Sequence, residues 1–183
     1  VLLEIQEIEQ QRRHGGVRSA GEVAVRTKVR VDDWRNPAVA AEGLRELVTA
    51  TLVAHSAEPG RALASAFLAE DDIDAAALRA STAVTVLLAW LVGAREHHGE
   101  EPDLGPRAVD WVRANLGADE AGQALTLAGA LDHPLAPQIT MADAVERLGD
   151  ALLPALVWLV AGLTATAGEG DPDWLGRHDP APG

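Results

Sequence analysis

The chain of 183 residues contains no cysteine and no tyrosine, and it has a single lysine, a single phenylalanine and a single methionine. The lack of cysteine excludes a disulfide framework, a thiolate zinc site, an iron–sulfur cluster and a cysteine nucleophile. The lack of tyrosine excludes tyrosine-dependent chemistry. Any aromatic cage must be built from tryptophan, of which the chain has five.

Positively charged residues are also scarce. The chain has 15 lysines and arginines but 28 aspartates and glutamates, which gives a net charge of −13. Such an acidic protein is repelled by phosphate groups, so we expect neither a nucleic acid nor a membrane as a partner. The charge is uneven, however. Residues 10–35 carry seven bases and three acids. The sequence thus divides into a basic N-terminal stretch and a strongly acidic body.

The first residues, Val1 to Glu4, become acidic at once and lack the basic region of a secretory signal. Two uncharged stretches, 80–94 and 151–168, approach the length of a membrane span. Both are diluted with alanine, threonine and glycine, and Pro154 interrupts the second. We therefore expect them to be core helices of a cytoplasmic protein.

From Asn36 onward, the spacing of apolar residues predicts helices. Asn36 is a typical N-cap, and Pro37 suits the first helical position, where its missing N–H has no partner to lose. Pro154 is expected to kink the last helix. The six predicted helices cover residues 37–55, 61–69, 73–97, 106–116, 119–131 and 141–167. Two of them, 73–97 and 141–167, become apolar on all sides, as expected of buried central helices.

The clearest strand pattern covers residues 22–31, where valine and threonine alternate with mostly cationic residues. A single strand leaves its backbone groups unpaired, so it needs a partner. That partner is residues 1–9 in a hairpin, the same strand of a second subunit, or another protein. The predicted partner-binding residues are Val23, Val25, Arg26, Lys28, Val29, Arg30 and Val31.

These patterns predict an all-α bundle of about six helices with an N-terminal arm. Residues 1–35 form the basic arm, which contains a short helix or strand followed by the strand 22–31. Residues 36–167 form the helical domain. Residues 168–183 are rich in proline and glycine, so we expect an irregular tail with Trp174 and Leu175 as its docking point.

Three groups of residues are candidates for a metal site. The stretch 97–103 combines two histidines with three acids, but adjacent histidines on a helix point about 100° apart and cannot clamp one ion. The acids of 70–74 suit magnesium, yet they crowd at a predicted helix start, where the helix dipole stabilises anions. Asp143, Glu146 and Asp150 share one side of the last helix, which is typical of a solvated surface. We predict no metal site.

Only two short segments, His55-Ser56 and Asp132-His133, contain residue types that a hydrolase active site uses. The chain lacks the Gly-x-Ser-x-Gly elbow of a serine hydrolase, and it lacks the glycine-rich loops that bind phosphates. We therefore predict no catalytic residue and no cofactor. No motif in the chain is specific to a known family.

Two classes of function remain. The favoured hypothesis is a non-enzymatic interaction protein, a homodimer or a partner-dependent subunit that uses the N-terminal arm. The alternative is a small-molecule-binding or metal-assisted helical enzyme with a pocket between the two apolar helices. Tryptophans on buried helices are more often core residues than ligand cages. The sequence leaves open whether the strand pairs within or between chains. The pocket would be lined by Trp90, Trp158 or Trp111, with polar contacts from His55, His97 or His133. The sequence also leaves open whether these histidines or His98 share a site.

Overall fold

The computed structural model describes residues 28–97, 104–132 and 140–180, and within these ranges the chain is helical and contains no strand. Two 3₁₀ helices accompany the α-helices, one at Gly149–Ala151 and one, the C-terminal 3₁₀ helix, at Pro172–His178. The prediction of an all-α bundle is confirmed. The described residues form seven α-helices: α1 (Pro37–Ala54), α2 (Glu58–Leu68), α3 (Ile73–His97), α4 (Leu104–Asn115), α5 (Ala118–Asp132), α6 (Met141–Leu148) and α7 (Leu152–Thr166).

The helix ends follow local capping chemistry. The Asn36 side chain accepts a hydrogen bond from the Ala38 N–H at 3.0 Å, and α1 ends at His55, whose φ of 46° is left-handed. Asp72 caps α3 by accepting from the Ala75 N–H at 3.0 Å. These boundaries agree with the prediction. α2 begins at Glu58, three residues before the predicted start at residue 61. Pro59 lies in its first turn, where a proline is tolerated, so the helix can include it.

The predicted helix 141–167 is divided, and the division lies about one turn before Pro154, the residue at which the sequence predicts a kink. The break lies at Gly149, which has φ 51° and ψ −122° and starts the short 3₁₀ turn. Pro154 is the third residue of α7. A proline in a helix interior removes one hydrogen bond and clashes with the preceding turn, whereas a new helix beginning at Leu152 places it where nothing is lost.

α7 is the centre of the bundle. Its residues from Pro154 to Thr164 are all buried, and it packs against α1, α2, α3, α4 and α5. The approach of α4 is especially close, because a Cβ at Gly162 would lie 2.5 Å from the carbonyl oxygen of Ala108. The absence of a side chain at Gly162 therefore allows the two helices to touch through their backbones.

α3 is not a second central helix, which corrects the prediction of two buried apolar helices. It contacts α1, α2, α7 and the C-terminal 3₁₀ helix along one side only. Both apolar segments are long and apolar enough to pass a membrane-span test by length and composition, but 39% of the window in 73–97 is buried, against 61% in 141–166. Two such helices are weak evidence of a span, since core helices pass the same test. Apolar composition alone does not distinguish α7, which other helices enclose, from α3, which packs along one side only.

The tail is more ordered than the sequence suggests. Asp171 caps the C-terminal 3₁₀ helix by accepting from the Asp173 N–H at 3.0 Å. Trp174 and Leu175 are buried, and the segment packs against α1, α3 and α7. Packing of these two side chains orders a segment whose local composition favours irregular structure.

The predicted strand 22–31 is not supported by the residues described. Residues 22–27 lie outside the described ranges, and the described part, 28–31, forms no strand. Val31 is buried in the core, and its carbonyl accepts from the Trp34 N–H at 3.1 Å in a turn that leads into α1. Tertiary packing of Val31 and the buried Trp34 therefore accounts for the apolar positions at this end of the pattern.

Candidate functional site

The two described histidines that were predicted to supply polar contacts in a pocket lie in different contacts. The His55 ring lies 6.4 Å from the ring of Trp111, whereas the His97 ring lies 5.8 Å from that of His178. His98 and His133 lie outside the described residues. The pairing of His97 with His178 was not visible in the sequence, because His178 comes from the distant tail.

The predicted pocket tryptophans are packing residues. Trp90 is 1% exposed, and its Nε1 donates to an Asp179 carboxylate oxygen at 2.8 Å. Trp158 is also buried, and its Nε1 donates to the Ala57 carbonyl at 3.0 Å. Trp111 is half-buried beside His55. The two buried indoles thus satisfy their N–H groups with atoms of the protein itself.

The acidic candidates have local structural partners. Glu70 forms an ion pair with Arg79 at 2.6 Å, and Asp72 caps α3. Asp143 belongs to a capping box with Thr140, and hydrogen bonds from the Thr140 side chain and backbone lower the pKa of Asp143. Over the described ranges, no three histidines or acids are grouped so that they could hold a metal ion.

The C-terminal 3₁₀ helix is attached through Asp179, which sequence reasoning missed. Besides the Trp90 bond, its carboxylate accepts from the Arg45 guanidinium, with nitrogen–oxygen distances of 2.8 and 3.1 Å. Arg45 lies on α1 and Trp90 on α3. The Asp179 carboxylate therefore links the C-terminal segment to both α1 and α3.

The residues predicted to bind a partner divide between the described and undescribed parts of the chain. Val23, Val25 and Arg26 lie outside the described ranges. Lys28 and Arg30 are exposed, Val29 is half-buried, and Val31 is 3% exposed. In the described part, the cations face solvent and Val31 faces the core of its own subunit.

The clearest exposed apolar feature lies instead on α3. Five side chains at alternating spacings of three and four residues follow one side of the helix, as expected for neighbours on a helical surface. We call this row the outer stripe of α3. Leu78 is 52% exposed and Val92 is 46% exposed. The outer stripe consists of Leu78, Ser81, Thr85, Leu88 and Val92.

The opposite side of α3 supplies buried core residues, including Ala83, Leu87 and Trp90. Four residues of the outer stripe are therefore exposed, whereas Leu88 is half-buried and packs against the core. Residues 80–94 carry no charge. The Thr85 hydroxyl donates to the Ser81 carbonyl at 2.9 Å, so its proton already has an acceptor within the helix. Burial of the residues between 80 and 94 against another surface would desolvate no charge and would leave the Thr85 donor paired.

Exposed apolar surface of this kind often marks an interaction site in a globular protein. The row is the described feature of this chain that best fits a binding surface. A scan against protein-family models finds no match to the chain, and neither does a search of the curated proteins or of the solved structures.

Proposed function

We propose that the chain is a non-enzymatic interaction protein that self-associates through the outer stripe of α3. The supporting observation is that Leu78 and Val92 are exposed on a helix whose other side is built into the core, and that residues 80–94 between its charged ends carry no charge. Full burial of a valine or leucine contributes about 1.5–3 kcal/mol. Leu78 and Val92, which are about half exposed, therefore each gain about 1 kcal/mol if a partner covers them.

A second copy of the chain is the partner that suits the charge distribution. The net charge of −13 makes two copies repel each other over most of their surfaces. Four of the five residues of the outer stripe lie in the uncharged segment 80–94, so this repulsion is weaker there than over the rest of the surface. The basic N-terminal arm predicted from the sequence would add an attractive contact with the acidic body of the other copy.

Light scattering after size-exclusion chromatography tests the proposal. We expect the mass of the wild-type chain to rise toward that of a dimer near about 1 mM, because burial of Leu78 and Val92 on both copies contributes about 4 kcal/mol. Replacement of both Leu78 and Val92 by lysine places charge on the apolar row and should give a monomer. Val53→Lys is the control, because Val53 is 79% exposed on α1 and does not belong to the outer stripe.

Circular dichroism would establish that all variants remain helical. A monomeric wild-type chain would overturn the proposal. So would a dimer that the paired lysine substitutions leave intact, since the association would then use another surface.

A further inference from the structure

The corner between α2 and α3 exposes apolar and acidic side chains together. Leu68 ends α2 and is 70% exposed, and Ile73 begins α3 and is 79% exposed. Four of the five residues from 70 to 74 are acids, which is the densest run of acids among the described residues. We call residues 68–74 the acidic corner.

Much of the negative charge of the acidic corner is not neutralised. Glu70 pairs with Arg79, and Asp72 caps α3. Asp71 and Asp74 are exposed, and no ion pair within the described ranges involves them. A partner that complements this surface must carry positive charge together with apolar side chains.

The N-terminal part of the chain contains a segment of that composition. Residues 10–27 have four arginines and one acid, for a net charge of +3, and they include three valines. The arginines are Arg12, Arg13, Arg18 and Arg26, the acid is Glu22, and the valines are Val17, Val23 and Val25. We infer that residues 10–27 dock on the acidic corner of their own chain.

The described chain begins close to this corner. The ring of Trp34 lies 6.1 Å from that of Phe67, the residue before Leu68. Lys28 comes six residues before Trp34 and therefore lies at most about 22 Å from it. A segment tethered this near meets the corner at an effective concentration on the order of 1 mM. Another copy competes for the segment only near the similar concentration of the proposed self-association.

Two buried donors beside the corner point to an occupant independently of charge. Trp34 Nε1 and Arg79 Nε have no acceptor among the described residues, although Trp34 is 0% exposed. Trp34 contacts Phe67, and Arg79 pairs with Glu70 of the corner. An unpaired buried donor destabilises the folded state, so nearly all such groups find a partner. A segment docked at the corner supplies backbone carbonyl oxygens for these donors.

Because the chain has no cysteine, a pair of introduced thiols reports the contact. We expect Ser19→Cys and Ala69→Cys in one chain to be joined by a short bis-maleimide at about 20 µM, where a tethered segment meets its own corner far more often than another copy. Ser19→Cys with Ala142→Cys is the matched control, since Ala142 is exposed on α6 beside Asp143, another exposed acid. The control pair should react at least about tenfold more slowly, because docking raises the effective concentration only at the corner.

Charge reversal tests which surface the arginines recognise. Asp71→Lys with Asp74→Lys should slow the joining of residues 19 and 69 about fivefold, because each exposed ion pair contributes a factor of about 1.5–5. Glu146→Lys with Asp150→Lys, two exposed acids of the 146–150 surface, should leave the rate unchanged. Both sets spare Asp72, which caps α3, and circular dichroism would establish that the variants remain helical.

Three results would overturn the inference. Equal rates for the two thiol pairs would show that the segment has no preferred site. A rate that reversal of Asp71 and Asp74 leaves unchanged would show that the acids do not hold it. Cross-linking mainly between a tagged and an untagged copy would make a second chain the occupant. None of these results bears on the proposed self-association through α3, which light scattering tests separately.

Discussion

Asp179 shows how much of this fold depends on single polar contacts between distant parts of the chain. Its carboxylate accepts from both Arg45 and the Trp90 Nε1. Trp90 is 1% exposed, so in the intact protein its N–H depends on the Asp179 carboxylate, which itself is exposed to solvent. An unpaired buried donor loses the hydration that the unfolded chain regains, which destabilises the folded state.

We predict that Asp179→Ala lowers the free energy of unfolding by about 0.5–1.5 kcal/mol, the usual net contribution of a hydrogen bond whose place water can take. Urea denaturation followed by circular dichroism measures this difference. Asp173→Ala is the control, because Asp173 is an exposed acid of the same 3₁₀ helix, and its effect should stay within about 0.5 kcal/mol. Equal losses in both variants would contradict the role of the Trp90 bond.

The contacts that could be predicted from the sequence are the ones made over two or three residues. Asn36 caps α1, and Thr140 forms a capping box with Asp143, as the local pattern indicates. The bonds of Asp179 join residues 89 and 134 positions away, and no local pattern marks them. Such contacts depend on how the helices are arranged, which spacing along the chain does not specify.

At the scale of elements, Gly149 separates α6 from α7. Its φ of 51° combined with ψ of −122° is a conformation that residues with a Cβ rarely adopt. A Cβ built at Gly149 meets no atom within 4 Å, so backbone strain rather than crowding opposes any substitution. Gly122, on α5, has the same free space around it but lies inside a helix.

These two glycines should therefore respond to alanine in opposite directions. We predict that Gly149→Ala lowers the free energy of unfolding by about 1–3 kcal/mol, the cost of one strained backbone conformation. Gly122→Ala should raise it by about 0.5–1 kcal/mol, because alanine loses less conformational entropy in a helix. Thermal and urea denaturation of both variants measure the effects. Stabilisation by both substitutions would show that the break between α6 and α7 does not require glycine.

The sequence predicted most helices but not their roles. The apolar patterns of α1 and α4 identify the side that each helix buries. α3 and α7 are similar in composition, yet α7 is enclosed and α3 leaves Leu78 and Val92 exposed. Which of two apolar helices the others surround is decided by the packing of the whole bundle. The outer stripe of α3 could not be recognised before that arrangement was known.

At the scale of the whole molecule, the excess of acidic residues makes the folded state repel itself. The described ion pairs, such as those of Arg45 with Asp179 and Arg113 with Asp110, are partly exposed, and pairs of this kind contribute little. Added salt therefore weakens the repulsion among the acidic residues more than it weakens the attraction within the ion pairs. The Debye length falls from about 30 Å at 0.01 M salt to about 8 Å at 0.15 M.

We predict that raising sodium chloride from about 0.01 to 0.15 M at pH 7 increases the Tm, because the screening length becomes shorter than the molecule. Differential scanning calorimetry measures the shift. The internal control is the same series near the pI of 4.7, where the net charge vanishes and the salt effect should be much smaller. A Tm that falls with salt at pH 7 would mean that ion pairs outweigh the overall repulsion.

The enclosed position of α7 also has a consequence for the order of events during synthesis. The five helices that surround α7 precede it in the chain, so they leave the ribosome first. Until residues 152–166 follow, the sides of those helices that α7 covers have only one another to pack against. Nascent chains of this protein therefore expose apolar surface that chaperones recognise, and the native core closes only when its last helix arrives.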